Sequence, residues 1–317
     1  MLKYLVIQLC DMAPSFCHYY NPSSLPNLIP LEDLKAGILF GMKENLNIQF
    51  VYPDRMLPKE YKDTIDSIDH VDIVSFWNKD EELLNSADII IIDSWEDVTT
   101  NLKRDKSYIL RTSKDNLFNN YKKLIEVLPK VERINIALTD IPEFKDEDFK
   151  KYKIILSEIS ESLSKEYIDG KSPQTNILTD RMMLNEMNNC NAGDEAITLA
   201  PDGNLYICPA FYLKGYRSIG NIDNGIQLKN PQLFKLTHAP ICRKCDAFQC
   251  KRCVYLNKRI TREINTPSKE QCVVSHLERN ESRRLLAKIR EHGVSMPDIE
   301  IKEIDYLDPF EIANQWK

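Results

Sequence analysis

Short apolar runs alternate with stretches in which apolar residues recur every three or four positions, so the first half of the chain reads as strand, helix, strand, helix. Lys3 to Leu9 (KYLVIQL) is a β-branched run that predicts a strand, and a Pro/Asn/Ser-rich loop follows from Pro22 to Pro30. Leu31, Leu34, Ile38 and Met42 fall on one face of a predicted amphipathic helix, and Asn47 to Tyr52 (NIQFVY) is the next strand, stopped by Pro53. The pattern continues with a helix around Lys59 to Ile68, a strand at Val71 to Phe76, a short helix at Glu81 to Ala87 and a buried strand at Asp88 to Asp93. Ser107 to Ser113 is a fifth strand, Asn116 to Val131 a helix, and Arg133 to Leu138 a sixth strand. A long helix from Phe149 to Tyr167 carries Ile155, Ile159 and Leu163 on one face.

Strands separated by helices imply a parallel sheet, because parallel neighbours need a crossover connection. Such a sheet is open and doubly wound or closes part of a barrel, and its ligands bind beyond the carboxyl ends of the strands. The loop holding Cys10 and Cys17 leaves the first strand at that end. No glycine-rich dinucleotide fingerprint or P-loop occurs, and 9 glycines leave little for a phosphate-cradling backbone. Gly170 to Thr175 is a turn-rich break, and Ala196 to Phe211 then predicts a hairpin around Pro201-Asp202-Gly203 that carries Cys208. Cys242 to Cys253 reads as a knuckle, and Thr266-Pro267-Ser268 starts a helix that Gly293 ends, with Cys272 in its early turns.

The chemistry lies in the cysteines. Of 9, seven run Cys190, Gly203-x4-Cys208, Cys242-x2-Cys245-x4-Cys250-x2-Cys253 and Cys272. A chain of 317 residues without an export signal at its start is not a small disulfide scaffold, so metal ligation is the better reading, by zinc or by iron-sulfur clusters. His238 and His276 are candidates to complete a three-cysteine site, although an outer-shell or surface role is the ordinary one for each. Arg243, Lys244, Lys251, Arg252, Lys258, Arg259 and Arg262 read as a solvated basic face that offsets thiolate charge, and Tyr206, Phe211, Tyr212, Phe248 and Tyr255 as packing around it. A net charge of -6 argues against general nucleic-acid binding, and no stretch nears the about 20 apolar residues of a membrane span. The expectation is a cytoplasmic protein with no nucleic-acid or membrane partner.

This cysteine array resembles the SPASM domain, the twice-clustered extension of radical SAM peptide-modifying enzymes, except that its central segment is one residue shorter in each later gap than that family's C-x2-C-x5-C-x3-C. The resemblance implies two 4Fe-4S clusters, a first on Cys190, Cys208 and Cys253 and a second on Cys242, Cys245, Cys250 and Cys272. For the first half it implies an α/β radical-SAM-like partial (β/α)6 barrel, whose signature C-x3-C-x-φ-C follows strand one. Here that loop runs from Cys10 to Cys17 with Pro14 where the middle cysteine belongs, and Tyr52-Pro53-Asp54-Arg55 replaces the family's Gly-Gly-Glu. S-adenosylmethionine is therefore not an expected cofactor, and no radical SAM activity of the chain's own is expected.

More narrowly the chain resembles the CXXX repeat peptide maturases, through Ser15-Phe16-Cys17-His18-Tyr19, Cys190-Asn191-Ala192-Gly193, Cys208-Pro209-Ala210-Phe211-Tyr212, His238-Ala239-Pro240-Ile241-Cys242 and Cys245-Asp246-Ala247-Phe248-Gln249-Cys250. That likeness implies a role in maturing a ribosomally made cysteine-repeat peptide, as an iron-sulfur partner of a separate radical SAM enzyme that binds the precursor peptide, the enzyme or both. Two alternatives stand beside it: an independent enzyme taking a substrate thiolate on an open cluster iron, and a zinc-stabilised interaction module. The expected divisions are a barrel over 1–170, the cysteine-rich domain over 171–293 and a tail over 294–317. The tail alternates apolar and charged residues around Ile299, Ile301 and Ile304 and ends in a short predicted helix from Asp308 to Trp316, whose Phe310, Ile312 and Trp316 are expected to pack back onto the chain's own barrel, with a contact to a partner or a second copy as the alternative.

Overall fold

The computed structural model describes residues 2–99 and 102–296; the tail expectations for 297–317 lie outside the described residues. The elements run β1 (Tyr4–Gln8), α1 (Leu31–Lys43), β2 (Asn47–Val51), α2 (Lys59–Ile65), β3 (Val71–Ser75), α3 (Glu81–Ser86), β4 (Ile89–Ile92), β5 (Ser107–Thr112), α4 (Lys114–Val127), β6 (Arg133–Leu138) and α5 (Asp146–Ile168). They continue with β7 (Ala196–Leu199), β8 (Asn204–Tyr206), α6 (Pro209–Leu213), β9 (Gly220–Asn221), β10 (Gly225–Ile226), α7 (Val254–Ile260) and α8 (Lys269–Glu291). Contacts divide the chain into two compact units. One is the chain up to Ile91 with Cys190–His238; the other is Ile92–Asn189 with the chain from Ala239 onward.

In the first unit β1, β2, β3 and β4 are parallel neighbours in chain order, joined by α1, α2 and α3 as the alternation predicts. The predicted helix face is shifted at its end. Met42 is 58% exposed, and Gly41 takes the buried place because a Cβ there would stand 2.7 Å from Ile48 Cδ1. Glycine thus lets α1 approach the sheet more closely than a side chain allows. The predicted hairpin forms, but β7 also pairs in parallel with β1, Tyr4 opposite Ala196 and Ile7 opposite Leu199. The second hairpin strand ends at Tyr206, and Cys208 becomes the residue that opens α6. The sheet continues through β9 and β10, which periodicity did not show because each is two residues long.

In the second unit β5 and β6 pair in parallel over Ser107 to Thr112, and α5 packs against α4 and α8. Phe118, Phe144, Phe149 and Tyr152 interlock beside α5, with Phe118 and Phe144 ring centroids 6.0 Å apart and edge-on. After Gly170 the chain turns as expected and then runs beside β6. The Asn176 side chain there accepts from Ile136 N at 2.7 Å and donates to Ile136 O at 2.9 Å, satisfying a backbone edge that would otherwise lie open.

Candidate metal centre

The loop after β1 is held in place by side chains that have no ligand role. Asn21 Nδ2 donates to the carbonyls of Asp11 and Ala13, and Asn27 Nδ2 and the Tyr212 hydroxyl both donate to the Asp11 carboxylate. Ala13 is buried against Val6, Val51, Ile73 and Ile91, with Phe16 packed on the same cluster. Cys10 is 0% exposed and its thiol is pushed up by burial, as a core cysteine's would be, whereas Cys17 is half-buried. Cys208 is half-buried; burial pushes its thiol up, and the nearby sulfurs of Cys190 and Cys17 act in the same direction. Cys190 and Cys208 were expected together, but the proximity of Cys17 was not. Cys253 belongs to the other unit.

In the second unit the site is built from a turn and a helix. Cys242 opens a single 3-10 turn, Cys242–Lys244, and Cys245 N closes it by donating to Cys242 O at 3.1 Å. Ala247 N donates to Cys245 Sγ at 3.4 Å, and Arg252 N repeats the same bond to Cys250 Sγ at 3.4 Å. Such peptide N–H donors favour thiolate over thiol. The helix is α8, begun by a capping box in which Ser268 Oγ accepts from Gln271 N at 3.3 Å and Gln271 Oε1 accepts from Ser268 N at 3.1 Å. It ends at a glycine with φ of +77°, Gly293, where the sequence placed the stop.

Cys272, His276, Arg279 and Arg283 follow one another at four-, three- and four-residue steps along one stripe of α8. His276 is 1% exposed, and its Nε2 lies 3.5 Å from Cys245 Sγ. Arg279 Nη1 meets Asp246 Oδ1 at 3.0 Å, and Arg283 Nη2 meets Asp246 Oδ2. Arg181 adds a third guanidinium, its Nε on the Asp246 carbonyl at 3.0 Å and its Nη2 on Oδ2 at 3.3 Å. Asp246 is 0% exposed, so three cations surround one buried carboxylate directly beside Cys245. Positive charge of this kind beside Cys245 favours a thiolate there.

Behind the stripe, Tyr152 Oη donates to Glu278 Oε1 at 2.8 Å and Gln249 Nε2 reaches Glu278 Oε2 at 3.4 Å. Burial nevertheless pushes the Glu278 carboxyl up to about 7. Cys250 faces this side: burial pushes its thiol up, Ser275 hydrogen-bonds to it, and Glu278 and Lys251 are the charges that act on it.

None of the nine cysteines, all described, is in a disulfide. Among the described residues no group of three or more His, Cys, Asp or Glu side chains is placed to hold a metal ion. The donor chemistry fits a metal all the same: two cysteines on a tight turn, N–H···S bonds to Cys245 and Cys250, a histidine on the helix and guanidiniums beside Cys245. Arg243, Lys244, Arg259 and Arg262 are exposed as the basic-face reading expects, but Arg252 is buried, with a left-handed backbone at φ of +37°. Tyr206, Phe211, Phe248 and Tyr255 are buried packing residues. His238 is exposed, with its Nδ1 3.1 Å from Thr237 Oγ1. The Asp246 cage was missed because its four members are spread from residue 181 to 283; the i, i+4 arginines on α8 were the available signal.

A cavity of about 500 Å³ in the first unit is lined by Asn204, Arg217, Ile219, Asn221, Gln227 and Lys229 among others, and by no cysteine. Among the described residues no helix is long and apolar enough to cross a membrane.

The parallel strands and their crossover helices define an α/β fold of the radical-SAM-like type, the class expected from the sequence. Two solved structures carry the comparison. Native anSMEcpe with bound AdoMet and Cp18Cys peptide is similar with a TM-score of 0.61 at 13% identity, covering 92% of this chain and 99% of that one. Native anSMEcpe with bound AdoMet is similar with a TM-score of 0.60 at 12% identity, covering 91% and 99%. At these identities the likeness is one of fold. No protein-family model matches the sequence, and no curated protein matches it.

Proposed function

We propose that this chain acts in the maturation of a ribosomally made, cysteine-containing peptide, as a metal-thiolate protein that binds the precursor peptide alongside a separate radical SAM enzyme. The observation that carries this reading is the contrast within one fold. The C-terminal cysteines keep ligand spacing and N–H···S support, whereas the loop after β1 has Pro14 between Cys10 and Cys17 and turns Cys10 into the core. Proline offers no side-chain donor at the position where the resemblance needs the middle thiolate. The fold likeness to anSMEcpe, a protein seen with AdoMet and a peptide, supports peptide binding as the retained part of the activity. When bound, the metal would supply a structural anchor or an electron relay, and the residues that would hold it are Cys242, Cys245, Cys250 and Cys272 in the second unit, and Cys190 and Cys208 in the first.

The test is an anaerobic purification followed by two assays. Expected results are tightly held metal, binding of a synthetic peptide with regularly spaced cysteines, and no 5′-deoxyadenosine when S-adenosylmethionine and a strong reductant are added. Turnover of S-adenosylmethionine by the isolated chain would overturn the proposal. Failure to bind any cysteine-repeat peptide, alone or with a radical SAM enzyme present, would overturn the peptide role.

A further inference from the structure

The cavity of about 500 Å³ in the first unit opens beside the β9–β10 hairpin. The hairpin's own sequence fixes that wall. Gly220 has φ of +132°, and a Cβ there would collide with Gly225 O, so only glycine closes the β9–β10 pair this tightly. Asn221 Oδ1 accepts from Asn224 N at 2.8 Å and from Asn224 Nδ2 at 3.1 Å, which pins the turn, and Ile219 N donates to Leu205 O at 2.8 Å, which ties the hairpin to β8. Arg217 and Lys229 are the charged residues of the lining, with no acid among them. Both are exposed, and among the described residues neither side chain has an ion pair or a hydrogen bond. The Gln227 carboxamide and Asn221 Nδ2 are likewise unbonded among the described residues. Asp202, two residues from Asn204 on the rim, is engaged by Asn204 Nδ2 at 3.1 Å and by the Tyr206 hydroxyl at 2.8 Å. The stretch 209–241 carries Lys214, Arg217, Lys229 and Lys235 against Asp223, a basic run in a chain of net charge -6.

We propose that this cavity is the docking site for an acidic segment of the precursor peptide, with Arg217 and Lys229 taking its carboxylates. The inference rests on the reading that the chain binds that peptide, and adds which part of it is recognised and where. A guanidinium meets a carboxylate as a two-pronged fork, and an ammonium meets one as a point charge, so the pair suits two acidic side chains. Gln227 presents both the donor and the acceptor of a carboxamide and Asn221 a donor, which match the C=O and N–H of a peptide backbone between those side chains. The volume is that of a pocket for a ligand of many atoms, more than a lone oxyanion fills. Because both cations are exposed, they act on recognition and encounter, and salt weakens their effect.

Isothermal titration calorimetry on the full-length chain compares two synthetic cysteine-repeat peptides, one preceded by a run of glutamates and the other by the same run of glutamines. Expected is binding of the glutamate peptide about fivefold tighter at low salt, a preference that salt reduces and that Arg217→Gln combined with Lys229→Gln removes. Melting temperature and metal content should not change in that double variant, since no cysteine lines the cavity. Charge reversal, Arg217→Glu with Lys229→Glu, should instead favour a peptide bearing a run of lysines, a gain that loss of fold cannot produce. If the wild-type chain does not distinguish glutamate from glutamine, or the double variant keeps the preference, the proposal fails, while the peptide role stands on binding of the glutamine peptide. Displacement of the glutamate peptide by inorganic phosphate at the peptide's own concentration would make the cavity a small-anion site and sink the proposal equally. If neither peptide binds, the peptide role and this docking site fall together.

Discussion

Asp246 shows how much one side chain in this molecule organises. Its carboxylate meets three guanidiniums, from Arg181, Arg279 and Arg283, and its carbonyl takes a further bond from Arg181, whose guanidinium also lies over the Phe248 ring at 5.9 Å. Removing the carboxylate leaves buried cations facing one another, which costs far more than the pair's net worth. Asp246→Ala is expected to destabilise the protein by about 3–5 kcal/mol, and Arg283→Gln by much less because Arg283 is partly exposed. Urea unfolding of the two variants measures both values; an Asp246→Ala loss below that of Arg283→Gln would refute this ordering. The tight turn at Cys242 and Cys245 was legible from spacing, since C-x2-C is a local pattern. The cage was not, because long-range pairing of charges leaves no period in the sequence.

At the scale of the element, α8 gathers the cap, the stripe from Cys272 to Arg283 and a buried acid. Its start and stop were readable from Ser268, Gln271 and Gly293, each of which acts on its neighbours in the chain. Ser268→Ala removes the acceptor for Gln271 N and should cost about 1 kcal/mol, read as a lower melting temperature, with weaker metal retention because Cys272 lies in the first turns. Glu278 joins α8 to α5 through Tyr152. An unfolded glutamate ionises near 4.5 and the folded one near about 7, so between those values the unfolded chain releases a proton that the folded one keeps. Stability therefore falls as pH rises through that window, by about 3 kcal/mol at about 1.4 kcal/mol per pH unit, and the loss is complete above it. Glu278→Gln should flatten this dependence, measured by urea unfolding at about pH 5 and about pH 8. An unchanged slope in the variant would place the ionising group elsewhere. The acid was invisible in the sequence because burial is set by α5, more than a hundred residues away.

For the whole molecule, the alternation of strands and helices was enough to predict the parallel order of β1 to β4 and the fold class, since crossovers constrain neighbours in sequence. It said nothing of β7 returning to β1, because no local pattern names a partner across the chain. That pairing orders events during synthesis. Between Tyr4 and Ala196 lie 196 − 4 = 192 positions, so at about 5–20 residues per second β1 waits roughly 10–40 s for its second neighbour to be made. Through that interval one edge of β1, four of whose five residues are buried, is open to any other nascent chain, and a fragment ending at residue 189 would keep it open indefinitely. Such a fragment should partition into the insoluble fraction while the full chain stays in solution; equal solubility would show that something other than β7 covers β1. The cell that makes this protein has to shelter a beginning until its middle arrives.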